Sequence, residues 1–153
     1  MISALICVDA SLTLKLVLAE PDSPVARSLW ADWEERDMDV VSPSLWAYEV
    51  TSVIRNKVHR GKITSDEGER AFAIIHKLGV RLIVLPDLHE RAWEMAKELN
   101  RPAAYDAHYL ALAQTLDCEF WTADERLYNA VTDQLPWVRC LGLYDASLGG
   151  TSY

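Results

Sequence analysis

The sequence contains no uninterrupted apolar span of 18 residues, no Cys-x-x-Cys pair, and no Gly-x-Gly-x-x-Gly or Gly-Lys-Ser/Thr element. Membrane insertion and nucleotide binding of the Rossmann or P-loop type therefore find no support in it. Glycine and proline number only 6 each, and no repeat, Ser/Gly linker or block of one charge sign divides the 153 residues. Collagenous, disordered and low-complexity chains are thereby excluded. Basic residues are outnumbered, with 15 Lys and Arg against 23 Asp and Glu, so a broad basic face for a polyanion is not advertised by the totals. Any such site must be local. The three cysteines, Cys7, Cys118 and Cys140, are odd in number, far apart, and each within or beside an apolar run. They read as buried thiols in a reducing cytosol. The start, from Met1 to Val8, shows no basic leader before Asp9, and the expected location is the cytoplasm.

What is present is an ordinary globular composition, 50% hydrophobic and 25% charged. At this length roughly 68–70% of the unfolded surface can be buried, so one domain with a full core is expected. Its expected extent is 1–145, with 146–153 as a C-terminal tail. Short apolar runs at Ile2–Val8, Val40–Val41, Arg81–Leu85, Cys118–Trp121 and Val138–Leu141 are candidate strands. Between them lie segments of helical period: Leu12–Leu18, Ser23–Arg36, Ser44–Arg60, Ser65–Leu78, Leu88–Leu99, Ala104–Thr115 and Asp124–Leu135. Strands that alternate with helices predict an α/β fold, a mostly parallel sheet of about five strands with helices on both faces.

Helix boundaries carry their own signals. Thr64, Asp87 and Thr122 each stand three residues before a Glu, as capping boxes do, and Ser42-Pro43 sets a cap before a first-turn proline. Gly61 and Gly79 follow basic helix ends, as left-handed terminators would.

Most acids fall on polar faces or in turns, where solvation accounts for them. Four fit less easily. Asp9 ends the first strand, where open parallel sheets bind ligands, although a cap for the helix starting at Ser11 is the structural alternative. Glu49 has Leu45, Trp46 and Val53 at i−4, i−3 and i+4, so it interrupts an apolar stripe. A carboxylate in such a place is protonated, paired or metal-bound. Asp106 has Tyr109, Leu110 and Ala113 at i+3, i+4 and i+7 and repeats the anomaly. Asp124 follows a strand and opens a helix, where the helix dipole alone favours an acid. Several carboxylates at one site repel unless a cation joins them, and an oxygen-only donor set favours Mg²⁺ or Mn²⁺ over zinc. The spacing thus reaches metal-dependent phosphate chemistry without choosing a substrate.

Val8-Asp9-Ala10-Ser11 with Lys15 a turn later, Tyr48-Glu49-Val50 after Ser42-Pro43-Ser44, Tyr105-Asp106-Ala107-His108 through Ala113, and Trp121-Thr122-Ala123-Asp124-Glu125-Arg126-Leu127 follow one another in order. In this the chain resembles the PIN-domain ribonucleases, and most nearly the VapC toxins of bacterial and archaeal toxin–antitoxin pairs. The resemblance implies a PIN-like three-layer α/β/α fold. It further implies Asp9, Glu49 and Asp106 as the core metal-binding and catalytic carboxylates, Asp124 as a fourth acid, and Ser11 and Thr122 as supporting hydroxyls. The activity implied is Mg²⁺- or Mn²⁺-assisted hydrolysis of RNA to 5′-phosphate and 3′-hydroxyl ends, in a homodimer held inactive by a cognate antitoxin.

Lys15 and the run Arg55, Lys57, Arg60, Lys62 are candidate RNA contacts, the run equally serving to complement a helix C-terminus. Trp30 and Trp33 are candidates for a partner groove or for core packing, and none of the four histidines is assigned to metal. The rival readings are a catalytically silent PIN-fold scaffold and an acidic-pocket phosphoryl-transfer or receiver domain. The receiver pattern wants paired acids or Asp-x-Asp-x-Thr after the first strand, whereas Ala10-Ser11 follows Asp9.

Overall fold

The computed structural model describes residues 4–145 and 150–151. In chain order these form β1 (Leu5–Val8), α1 (Ala10–Val17), α2 (Ser23–Glu35), β2 (Asp39–Ser42), α3 (Leu45–His59), α4 (Ser65–Lys77), β3 (Arg81–Leu82), α5 (Leu88–Glu98), α6 (Tyr105–Leu116), β4 (Glu119–Thr122), α7 (Glu125–Val131) and β5 (Val138–Cys140). A 3-10 turn over Leu141–Leu143 leads to a small antiparallel pair, β6 (Tyr144–Asp145) and β7 (Gly150–Thr151). The rest of the expected tail, 146–149 and 152–153, lies outside the described residues, as does the beginning of the expected first strand.

The main sheet has the order β3-β2-β1-β4-β5, and every pairing in it is parallel. Because side chains alternate along a strand, β1 supplies both cores at once. Ile6 and Val8 join Leu12, Leu29, Trp33 and Trp121 on one face, whereas Cys7 joins Val41, Phe120 and the apolar faces of α3 to α6 on the other. Trp30 and Trp33 are buried in the first of these cores, their rings 5.6 Å apart, and so pack the interior. The chain runs outward from β1 through β2 to β3 and then returns to place β4 on β1's other side. That reversal opens a crevice at the carboxyl ends of β1 and β4, where ligands of open α/β sheets bind.

Several local expectations are corrected. Ser42 does not cap α3; it ends β2, and its hydroxyl donates to the Val8 carbonyl, tying the two strand ends together. Thr64 and Glu67 form the capping box, but Asp87 makes no capping bond because its carboxylate takes Arg91 Nε at 2.7 Å. Asp124, not Thr122, caps α7. The ladder of β3 stops after Ile83 N–H reaches Ser42 O at 2.9 Å, well short of Leu85, and α7 ends at Val131 instead of Leu135, with Pro136 just beyond. Gly61 and Gly79 have φ of +71° and +78°, as helix terminators. All three cysteines are free, Cys7 and Cys140 buried and Cys118 half-buried. Among the described residues no helix is long and apolar enough to cross a membrane.

Candidate active site

Asp9 follows β1 directly and caps α1, accepting from Leu12 N–H at 3.1 Å. Its side chain has two further donors: the Ser11 hydroxyl at 2.7 Å on Oδ1 and the Thr122 hydroxyl on Oδ2. Each hydroxyl has one proton to give, so with both directed at Asp9 their mutual 3.2 Å approach is a contact between oxygens. Each oxygen also accepts a backbone N–H at 3.0 Å, Ser11 from Ala123 and Thr122 from Asp124. The end of β1, the start of α1 and the turn after β4 are thereby knitted into one unit. The capping and supporting roles of Asp9, Ser11 and Thr122 therefore coexist with placement in the crevice.

Asp9 is only 6% exposed. Its pKa is raised to about 7: burial raises it most, the bonds from Thr122, Ser11 and Leu12 lower it, and the Asp106 charge adds to the rise. Glu49, in the second turn of α3, accepts from the Tyr109 hydroxyl of α6. Burial holds its carboxyl above the usual range against that bond, with Asp106 adding to the rise. Tyr109 is 2% exposed, and burial followed by the Glu49 contact keeps its phenol protonated as a donor. Asp106, in the first turn of α6, is also raised by burial, opposed by Arg101 and reinforced by Asp124. Asp124 caps α7 through bonds from Arg126 N–H at 3.0 Å and Leu127 N–H at 3.2 Å.

The four acids are therefore linked around one crevice through Asp106, whose charge acts on Asp9 and Glu49 and which itself feels Asp124. Glu49 and Asp106 lie half-buried at the crevice rim rather than within the apolar core, and Asp124 is exposed. Among the described residues no group of three His, Cys, Asp or Glu side chains is already arranged to hold a metal ion. The donor set nevertheless fits a hard divalent cation: it is all carboxylate and hydroxyl oxygen, and Asp106 raises the pKa of both Asp9 and Glu49 while Asp124 raises that of Asp106, a repulsion that a cation relieves.

The candidate RNA contacts lie elsewhere. Lys15 pairs with Glu20 and with Asp22, the latter at 3.0 Å. Arg55, Lys57, Arg60 and Lys62 occupy the far end of α3 and its following turn; Arg60 is eleven residues from Glu49, about 16 Å along a helix axis. His108 Nδ1 approaches the Ala104 carbonyl at 2.6 Å, which requires a proton on that nitrogen, and its Nε2 meets His89 Nδ1 at 2.9 Å. Two participants were not singled out by the sequence, Tyr109 and Arg101. Tyr109 stands at i+3 from Asp106 and reads as core, which it also is. Arg101 lies 3.4 Å from Asp106 Oδ2 through Nη2 and has no periodicity to mark it.

A family model described as the PIN domain matches residues 6–132. Over 132 residues the chain is 36% identical to a VapC ribonuclease of Mycobacterium bovis and to ribonuclease VapC9 of Mycobacterium tuberculosis, with 86% of this chain and 95% of each relative covered. A toxin–antitoxin complex from Klebsiella pneumoniae contains a chain of the same fold, with a TM-score of 0.62 at 18% identity, covering 91% of this chain and 98% of that one. VapC20 of M. tuberculosis, described as a sarcin-ricin loop cleaving toxin, has a TM-score of 0.61 at 23% identity, covering 82% and 94%. With the motif order, the crevice and these likenesses in agreement, the chain belongs to the PIN-domain family and, within it, to the VapC ribonucleases.

Proposed function

We propose that this protein is a metal-dependent endoribonuclease, the toxin of a toxin–antitoxin pair, with Asp9, Glu49, Asp106 and Asp124 as its catalytic carboxylates. The observation that carries the reading is the gathering of four acids, linked through the charge of Asp106, at the crevice between β1 and β4 in a chain so similar to named ribonucleases. Asp9, Glu49 and Asp106 would hold the cation, Mg²⁺ or Mn²⁺, with Asp124 completing the set. When bound, the cation supplies Lewis-acid activation of the attacking water and of the phosphodiester.

The chain's own contribution is positioning and charge. Ser11, Thr122 and the Leu12 amide fix both oxygens of Asp9, while the Tyr109 hydroxyl holds Glu49. Water adds to phosphorus, the bond from phosphorus to the 3′-oxygen breaks, and the departing oxygen takes a proton, giving 5′-phosphate and 3′-hydroxyl ends. Lys15 and the basic end of α3 are retained as secondary phosphate contacts, in that order of proximity to Asp9 along the chain.

The toxin–antitoxin complex among the structural neighbours supports a cognate antitoxin as partner, and the free thiols support a reducing cytoplasm as the setting. We also propose a homodimer. Val84, Tyr48 and Tyr105 are 77%, 71% and 67% exposed and line one apolar recess of about 430 Å³ beside the acidic rim, a surface that suits a second copy.

The deciding experiment incubates cellular RNA with the partner-free protein and Mn²⁺, beside an EDTA control and Asp106→Asn. New 5′-phosphate ends that vanish in both controls are expected. Ends that persist in EDTA and in the variant would remove the mechanism.

A further inference from the structure

Arg101 places a positive charge inside the acidic crevice. Its Nη2 lies 3.4 Å from Asp106 Oδ2, and of the ion pairs among the described residues this is the one that reaches a candidate catalytic carboxylate. The position is built by the end of α5. Asn100 adopts a left-handed φ of +52°, its N–H reaches Lys97 O at 3.1 Å, and the Arg101 N–H reaches Ala96 O at 2.8 Å. These are the two bonds of a Schellman motif, and Pro102 then restricts the chain further. The main chain of Arg101 is thus pinned at the crevice while its side chain, 29% exposed, reaches forward to Asp106.

Two positive groups compete for Asp106. A divalent cation held by the carboxylates would draw on Asp106, which the guanidinium already contacts, and the two charges would repel. A cation held there would also draw RNA phosphate toward the crevice, within the neighbourhood of the guanidinium that now pairs with Asp106. A planar fork of five donors, of which one meets Asp106, is suited to phosphate oxygens. We infer that Arg101 changes partner: it pairs with Asp106 while the carboxylates hold no divalent cation, and with a non-bridging phosphate oxygen of the RNA once they do. This rests on the ribonuclease reading above and adds a substrate-contacting residue to it.

The test compares wild type, Arg101→Gln and Arg101→Lys with two probes: Mn²⁺ alone, by calorimetry, and a labelled single-stranded 2′-O-methyl oligoribonucleotide, by anisotropy across a KCl series, its integrity checked by gel. Removing the competing charge in Arg101→Gln is expected to tighten Mn²⁺ binding about two- to fivefold, the scale of a part-exposed ion pair. In Mn²⁺ the slope of log K against log salt is expected to flatten by about 0.7, one single-strand phosphate contact. In EDTA the slopes of wild type and Arg101→Gln should coincide, and Arg101→Lys should keep the wild-type slope throughout. An unchanged slope in Mn²⁺, or an equal loss of slope in EDTA, overturns the exchange of partners. Wild-type protein that binds neither Mn²⁺ nor the oligonucleotide overturns the ribonuclease reading itself, and this inference with it.

Discussion

Asp9 combines two opposed demands. It needs three donors to hold its orientation, and it needs its charge in a place where burial resists charge. Its pKa of about 7 in the fold, against an ordinary 3.8, means that the folded state binds the proton more tightly than the unfolded chain. The stability this contributes is complete below about pH 4 and is lost as the pH rises through about 7. In EDTA, denaturant titrations should therefore show the wild type weaker at pH 8 than at pH 4 by a component on the order of 3 kcal/mol that Asp9→Asn lacks. Equal pH dependence in the two proteins would show that Asp9 is not the strained group. Cleavage should be abolished in the same variant, since the amide keeps the size and loses the charge. Thr122 is fully buried and donates to Asp9 while accepting from Asp124 N–H. Thr122→Val leaves both without that partner and should cost about 1–3 kcal/mol in the same titrations, with weaker Mn²⁺ binding. Ser11→Ala, at a half-buried position, should cost less.

The positions of these groups depend on how elements end. Asn100 closes α5 in the left-handed region, where glycine is free and a Cβ without a polar head is strained. Asn100→Ala should lower stability by about 1 kcal/mol and Asn100→Gly should leave it nearly unchanged, read by urea unfolding. Most elements were legible because their signals are local. Each apolar run and each helical period marks an element, with β3 and α7 shorter than the pattern suggested, and Gly61 and Gly79 have the positive φ of terminators. What the pattern missed was decided by tertiary contact. Ser42 looks like a cap but is claimed by the Val8 carbonyl across the sheet, and Thr122 looks like a cap but is claimed by Asp9, 113 residues away. Asp9, Glu49 and Asp106 stood out because an acid broke an apolar stripe or ended a strand. Arg101 did not, because an arginine between Asn100 and Pro102 looks like any solvated turn until α6 is packed beside α5.

At the scale of the molecule, the order β3-β2-β1-β4-β5 makes one crevice, and the acids lie at its rim. Beside that rim, α3, α6 and the segment after β3 leave Tyr48, Tyr105 and Val84 uncovered around an apolar recess. Tyr48 and Tyr105 immediately precede Glu49 and Asp106, so a second copy seated there would border the acidic rim and exclude water from one side of it. Val84→Asp places a charge where the dimer would bury it, at a cost of several kcal/mol that corresponds to at least a hundredfold weaker self-association. Sedimentation equilibrium at micromolar concentration should find a dimer for wild type and a monomer for Val84→Asp. Trp93, 65% exposed on α5 and outside the recess, supplies the control, since Trp93→Asp should leave the mass of the dimer unchanged. Because Val84 makes none of the site's hydrogen bonds, monomeric Val84→Asp should still bind Mn²⁺ at the carboxylates, so its cleavage rate isolates what the second copy adds. A wild type that sediments as a monomer, or a Val84→Asp variant that remains dimeric, would move the interface away from this recess.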